Sequence, residues 1–245
     1  MSVFWGTKYI DSHAHAYEYE EEYLRKLERD FIILGVSDDL ESSKKTLMLT
    51  EEFSFIKPCI GIHPWRIDVA SRDALKQIEE LVELMDKPCI GEVGLDKKFT
   101  PNTYEAQMRT LQKFLSLAKE TGAILNLHAA GAWEEVADLV MKFDISHAVF
   151  HWYTGPKDLM ERLQEAGFYI SFNVAALFQK KHSSLLPNVD LRRVLTESDG
   201  PYEYRGQKLL TENIPPLLKF MARELKIDEG ELKRILFENA SRLFL

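Results

Sequence analysis

What most constrains the fold of this chain is the order of its apolar segments. Short runs with strand character alternate with amphipathic stretches of helical period, and eight strand-like runs can be counted. They are KYIDSHA (8–14), FIILGVS (31–37), PCIGIH (58–63), PCIGEVG (88–94), AILNLHA (123–129), HAVFHW (147–152), FYISFN (168–173) and RVLTESD (193–199). Residues 71–87, 104–122, 132–143, 155–167, 213–225 and 229–245 read as helices. The first two repeat apolar residues at i, i+3, i+4 and i+7, and Gly122 and Gly167 stand where C-terminal caps belong. Strict alternation implies parallel strands joined by crossover helices. Eight such units closing on themselves make a (β/α)8 TIM barrel, usually of about 250 residues. The expected fold is therefore α/β, with one barrel domain over residues 1–245. An open doubly wound sheet is the alternative, but no G-x-G-x-x-G follows the first strand. KPCIG occurs at 57–61 and again at 87–91, as if two successive barrel units begin alike.

Active sites of such barrels form at the C-terminal ends of the strands. The first strand ends in Asp11, His13 and His15, on alternate positions that share one face of an ideal strand. The third ends in His63, the fourth in Glu92, the fifth in His128, the sixth in His151 and the eighth in Asp199. Five of the 7 histidines thus gather on one rim, and only His147 and His182 fall elsewhere. Charge buried without a partner in a barrel mouth costs several kcal/mol. Imidazoles and carboxylates converging there call for one or two divalent cations.

Composition narrows the partners. A net charge of -8 argues against broad electrostatic binding of nucleic acid but leaves room for a local cationic site made by metal. The 2 cysteines, Cys59 and Cys89, have no neighbouring Cys or His at zinc-finger spacing. They read as separate core residues of a protein without a disulfide framework, hence from a reducing compartment. Met1 to Tyr9 does not resemble a signal peptide, and no stretch approaches the ~20 apolar residues of a membrane span. A cytoplasmic protein is expected.

Taken together, DSHAH (11–15), GIHP (61–64), GEVGLD (91–96), LNLHAAGA (125–132), FHWYTG (150–155), GFYISFN (167–173), TESDGPY (196–202) and NASRLF (239–244) resemble the TatD family of metal-dependent hydrolases, within the amidohydrolase superfamily. The resemblance runs from Tyr9 to Leu243. It implies two metals, one held by His13, His15, Glu92 and Asp199, the other by Glu92, His128 and His151, with Glu92 as the bridge. It implies that His63 contacts substrate phosphate and is not a ligand. Family members typically act as 3′-end nucleases on DNA, often single-stranded, with magnesium or another divalent cation. The expected function is therefore a phosphodiesterase, with magnesium, manganese or zinc as its metals. Glu92 and Asp199 would be its catalytic carboxylates, Asp199 also taking the proton of the attacking water.

Lys97 and Lys98 follow GEVGLD and are placed to reach a backbone phosphate, and Trp65, Trp152 and Tyr153 flank ligand positions where a base could stack. The sequence also departs from the family pattern. Ala130 occupies the position two residues after His128 where members usually carry Arg. The fourth motif continues as LDKKF, and the sixth reads FHWYTG. These departures bear on substrate recognition, not on the ligands. Two other readings stand beside the nuclease: an esterase, deacylase or amidohydrolase acting on a small or tRNA-linked substrate, and a non-catalytic scaffold. Related barrels that cleave amides often use a carboxylated Lys on the fourth strand, where this chain has Glu92.

Overall fold

The computed structural model describes residues 7–245; part of the N-terminal stretch read above for leader character lies outside them. Eight parallel strands appear in the expected order: β1 (Tyr9–Ala14), β2 (Phe31–Gly35), β3 (Ile56–Pro58), β4 (Cys89–Gly94), β5 (Ile124–His128), β6 (Ala148–Phe150), β7 (Tyr169–Asn173) and β8 (Val194–Glu197). A hairpin, β9 (Tyr202–Tyr204) and β10 (Gln207–Leu209), follows them. The helices are α1 (Glu21–Leu27), α2 (Leu40–Glu52), α3 (Arg72–Glu83), α4 (Tyr104–Thr121), α5 (Trp133–Lys142), α6 (Lys157–Glu165), α7 (Lys180–Ser183), α8 (Ile214–Leu225) and α9 (Glu229–Leu243). Local chemistry sets their ends. Asp39 and Ser42 form a reciprocal capping box on α2, and Ser71 and Asp228 cap α3 and α9. Gly122 ends α4 at φ +71°, a left-handed conformation that glycine adopts without strain.

The barrel is an α/β barrel whose hydrogen bonding is not continuous. β1–β2–β3 form one ladder and β4–β5–β6–β7–β8 another. Two thinner seams join them. At one, Ile60 bridges Ile90, with Ile60 N donating to Cys89 O and Gly91 N to Ile60 O, both at 3.0 Å. At the other, Asp199 N donates to His13 O and His15 N to Gly200 O, both at 2.8 Å.

Inside, the floor is apolar. Ile10, Leu34, Cys59, Cys89, Ile124, Val149, Tyr169 and Leu195 form one buried cluster, one residue from each strand segment, closed below by Leu243 and Phe244. The larger core lies between strands and helices. Above the floor the buried residues turn polar: Ser12, Asn126, His151, Ser171 and Glu197. The site stands on this layer. Among the described residues, no helix is long and apolar enough to cross a membrane.

The cysteines correct the sequence reading. Cys59 and Cys89 are both in the core, but they are joined in a disulfide across the β3–β4 seam, with their Cα atoms 4.5 Å apart. The two KPCIG segments explain why. Because Ile60 lies opposite Ile90, the cysteines that precede them become neighbours as well. The bond spans 30 residues of chain, and a cross-link over a loop of that size contributes roughly 3–4 kcal/mol by restricting the unfolded chain. Thiol titration in denaturant should find no free thiol until reductant is added. Urea unfolding of the oxidised protein should show a stability higher by that margin than that of protein refolded under reductant. Equal midpoints would show that the cross-link adds nothing to the seam.

Candidate metal centre

Glu92 stands two residues before the end of β4, 2% exposed, and its two carboxylate oxygens divide the rim histidines into two groups. His128 Nδ1 lies 2.7 Å, His151 Nε2 2.8 Å and His63 Nε2 3.3 Å from Oε1. His13 Nε2 lies 3.3 Å and His15 Nε2 3.8 Å from Oε2. The same two nitrogens lie 3.1 and 3.3 Å from Asp199 Oδ1. The structure thus brings His13, His15, His63, Glu92, His128, His151 and Asp199 together. The three residues Asp11, His13 and His15 do not share one face, because the pairing of β1 with β2 shifts between Asp11 and Ala14. Asp11 is buried elsewhere, accepting from Ser198 N at 2.8 Å, Ser198 Oγ at 2.6 Å and Thr211 Oγ1 at 2.7 Å. It braces β1 against β8 and the chain beyond it.

Each imidazole uses its other nitrogen away from Glu92, and that outer partner fixes its chemistry. His13 Nδ1 donates to Asn126 Oδ1 at 2.7 Å; Asn126 Nδ2 donates to Ser12 O, which fixes which end of the amide faces the ring. His128 Nε2 lies 3.2 Å from Asp96 Oδ2. His15 Nδ1 and His151 Nδ1 face Asp38 Oδ1 and Glu197 Oε1 at 3.4 and 3.5 Å, oxygens that can only accept. In all four the outer side can hold a proton, so a cation that displaces the inner proton facing Glu92 would meet a lone pair on the inner nitrogen. His63 is the opposite. Its Nδ1 accepts from Trp65 N at 3.1 Å, so its proton sits on Nε2 and points at Glu92.

Electrostatics agree with this division. Burial alone would lower every imidazole. At His13, His15, His128 and His151 the surrounding carboxylates outweigh it and raise the pKa, to about 9 at His15 and His128. At His63 burial wins and the pKa is lowered. Burial opposes ionisation of Glu92 and Asp199 too, yet the imidazoles hold both carboxyls below the usual range. Several buried polar atoms still lack a hydrogen bond, among them His13 Nε2, which points between Glu92 and Asp199. His13, His15 and Asp199, and separately His63, Glu92 and His128, have one ligand-type atom each within 4.8 Å of one another. An orphaned inward nitrogen among hard carboxylate oxygens and imidazoles is a donor set that fits a divalent cation.

A scan against protein families matches residues 10–245 to the model described as TatD related DNase. The chain belongs to the TatD family. It is 27% identical over 248 residues to an uncharacterized metal-dependent hydrolase of Methanocaldococcus jannaschii, covering 97% of each chain. It is 25% identical over 226 residues to a protein of Pectobacterium parmentieri named 3′-5′ ssDNA/RNA exonuclease TatD, covering 86% of this chain and 87% of the other. Among solved structures, the TatD homologue YjjV of Escherichia coli K12 superposes with a TM-score of 0.89 at 22% identity, covering 97% and 98%.

Around the TatD-type centre opens a cleft of about 790 Å³. Trp65 and Phe99 line one side, and Trp152, Tyr202 and Tyr204 line the other. Ala130 is part of the lining, so nothing at that position reaches an anion. Two expectations change. Lys97 is turned away, paired with Glu135 and lying over the Tyr104 ring, while Lys98 lines the cleft. Tyr153 is buried, its hydroxyl donating to Pro156 O at 2.6 Å, so it cannot stack on a base. Trp65 and Trp152 remain at the cleft. The sequence reading missed the outer partners Asp38, Asp96, Asn126 and Glu197. Asp96 and Glu197 lay inside quoted motifs, and Asn126 precedes His128 by the two residues that place side chains on one strand face.

The two histidines left off the rim serve structure or solvent. His147 is exposed. His182 is buried on α7, donating from Nδ1 to Tyr153 O and accepting at Nε2 from Asn173 N, both at 2.8 Å. Only the neutral ring can do both, and burial pushes its pKa down from 6.5 to about 4. Between those values the unfolded chain binds a proton that the folded chain refuses. The stabilisation is therefore present above pH 6.5 and is lost as pH falls to 4, by roughly 3 kcal/mol. Urea midpoints of the wild type should fall more steeply over that range than those of His182→Gln; parallel curves would contradict this reading.

Proposed function

We propose that this TatD-family chain is a divalent-metal-dependent phosphodiesterase that trims DNA at single-stranded or 3′ ends. The observation that carries the proposal is the division of the rim around Glu92. His13 and His15 lie against one carboxylate oxygen, with Asp199 Oδ1 beside both of their inward nitrogens, and His128 and His151 lie against the other. His13, His15, Glu92 and Asp199 would hold one cation, and Glu92, His128 and His151 a second. Cations there would supply positive charge for phosphoryl oxygens and lower the pKa of water toward ~7.

The chain's own groups complete the chemistry. His63, fixed as a donor, would turn its Nε2–H from Glu92 to a phosphate oxygen once cations take up that carboxylate. Asp199, at the end of the last barrel strand, takes the proton of the attacking water. Trp65 and Trp152, on opposite sides of the cleft, offer ring faces to bases. The name of the Pectobacterium parmentieri relative supports a single-stranded nucleic acid as substrate. Binding rests on a local cationic centre, which suits a chain of net charge -8.

The test is a panel of 3′-labelled single-stranded DNA, 3′-overhang duplex, RNA and carboxylic esters, each with magnesium, manganese or zinc. Single-stranded DNA should be shortened from its 3′ end. A protein that cleaves esters but no phosphodiester would sink the nuclease reading. Glu92→Gln should abolish cleavage and weaken both cation sites together in calorimetric titration; full retention of either site would show that Glu92 does not bridge. His63→Ala should leave metal binding intact and lower kcat/KM about 10²-fold, the scale of one lost donor to a developing oxyanion.

A further inference from the structure

Asp96 touches more of this site than any of the other outer residues. It is fully buried at the end of GEVGLD. Oδ2 accepts from Trp65 Nε1 at 2.6 Å and stands 3.2 Å from His128 Nε2. Oδ1 accepts from Lys98 N at 2.8 Å and Phe99 N at 2.7 Å. Its own N–H donates to Gln107 Oε1 at 2.7 Å, so the residue is fixed from behind by α4. Trp65 in turn packs edge to face on Phe99, with centroids 5.7 Å apart, and on His63 at 5.1 Å. One carboxylate therefore holds a histidine of the centre with one oxygen and the backbone under Phe99 with the other, and it holds the indole of the cleft wall as well.

We propose that Asp96 is a positioning residue that keeps the proton of His128 on Nε2 and ties that ring to the Trp65–Phe99 wall, so that cation binding and ordering of the wall are coupled. The proposal rests on the reading of His128 as a ligand through Nδ1. The argument is one of donors and acceptors. His128 Nε2–H and Trp65 Nε1–H both need an acceptor, and Asp96 Oδ2 is the acceptor within reach of both. A cation drawing on His128 Nδ1 makes Nε2–H a stronger donor, which pulls on the oxygen that anchors the indole. By reciprocity, whatever the cation does to the wall, the wall does to cation affinity.

Asp96→Asn separates the two halves of the residue. The amide oxygen can still serve Lys98 and Phe99, while the amide NH2 faces two donors. The ring can escape only by accepting at Nε2, which moves its proton to Nδ1 and blocks that nitrogen as a ligand. Zinc alone is the probe, followed by calorimetry and by tryptophan fluorescence. In the wild-type background, part of the fluorescence change on zinc addition should vanish with Trp65→Phe. Asp96→Asn should weaken zinc binding about 10–100-fold and should abolish the share of the signal that belongs to Trp65. Wild-type zinc affinity in Asp96→Asn, or an intact Trp65 signal there, overturns the coupling while leaving the metal centre standing. A wild-type protein that binds no zinc overturns the centre and this inference with it. Should Asp96→Asn not fold, Trp65→Phe alone decides: the coupling requires a few-fold loss of zinc affinity, and unchanged affinity refutes it.

Discussion

Everything at the mouth of this barrel depends on one buried carboxylate being kept ionised. Glu92 is 2% exposed, and a lone carboxylate so placed would take up a proton, because its desolvation costs several kcal/mol. Five imidazole nitrogens within 3.8 Å prevent that. Four of the rings are raised in pKa by the carboxylates around them. Protons on imidazole and cations between the side chains are thus alternative answers to the same charge requirement. Cation binding at such a centre displaces protons.

The scaffold puts Glu92 there by close approach of backbones. Glu92 N donates to Ser37 O at 2.9 Å, which ties β4 to the end of β2. On either side of it the chain leaves no room for a side chain. A Cβ on Gly91 would stand 2.6 Å from Asn126 Cβ, and one on Gly94, at φ +155°, would overlap the His128 carbonyl oxygen. These contacts draw β4 and β5 together where His128 must meet Glu92. Below, the disulfide joins the same β4 to the segment after β3, at the seam bridged by Ile60 and Ile90. The strand that carries the central carboxylate is fixed on both edges.

The inner ring of the site was legible because strand ends in a parallel barrel have one destination. Period-two runs that stop in His, Glu or Asp could be read as a converging set without knowing any contact. The outer ring was not, because its residues are recognised only by what they face. Asp38 follows a strand whose end carried no histidine, and Glu197 sits within a strand run, receiving Trp152 N at 2.8 Å and the Ser171 hydroxyl. The disulfide was hidden for a related reason: 30 residues separate the cysteines, and only the register between two repeats of KPCIG makes them neighbours. The β9–β10 hairpin escaped because its turn is Arg205–Gly206, with φ +52° and +74°, and Arg is an unusual residue at a left-handed position. That hairpin supplies Tyr202 and Tyr204 to the cleft.

Why one histidine must keep its proton on the nitrogen facing Glu92 while its four neighbours can hold theirs on the outer side can be traced to a single proline. His63 precedes Pro64, which opens a short 3-10 turn over Pro64–Arg66. Proline has no N–H to offer, so the first free amide of the turn is that of Trp65, and it points back at the side chain of the residue capping the turn. A histidine in a capping position must therefore accept at Nδ1, and a neutral ring that accepts there carries its proton on Nε2. His13, His15, His128 and His151 leave the ends of strands instead, where their outer nitrogens meet Asn126, Asp38, Asp96 and Glu197 as acceptors. The rings are chemically identical, and their roles are assigned by the local fold behind them. On this argument the sequence His-Pro, within GIHP, fixes an Nε2–H donor as directly as an acceptor behind a strand-end histidine fixes a proton on its outer nitrogen.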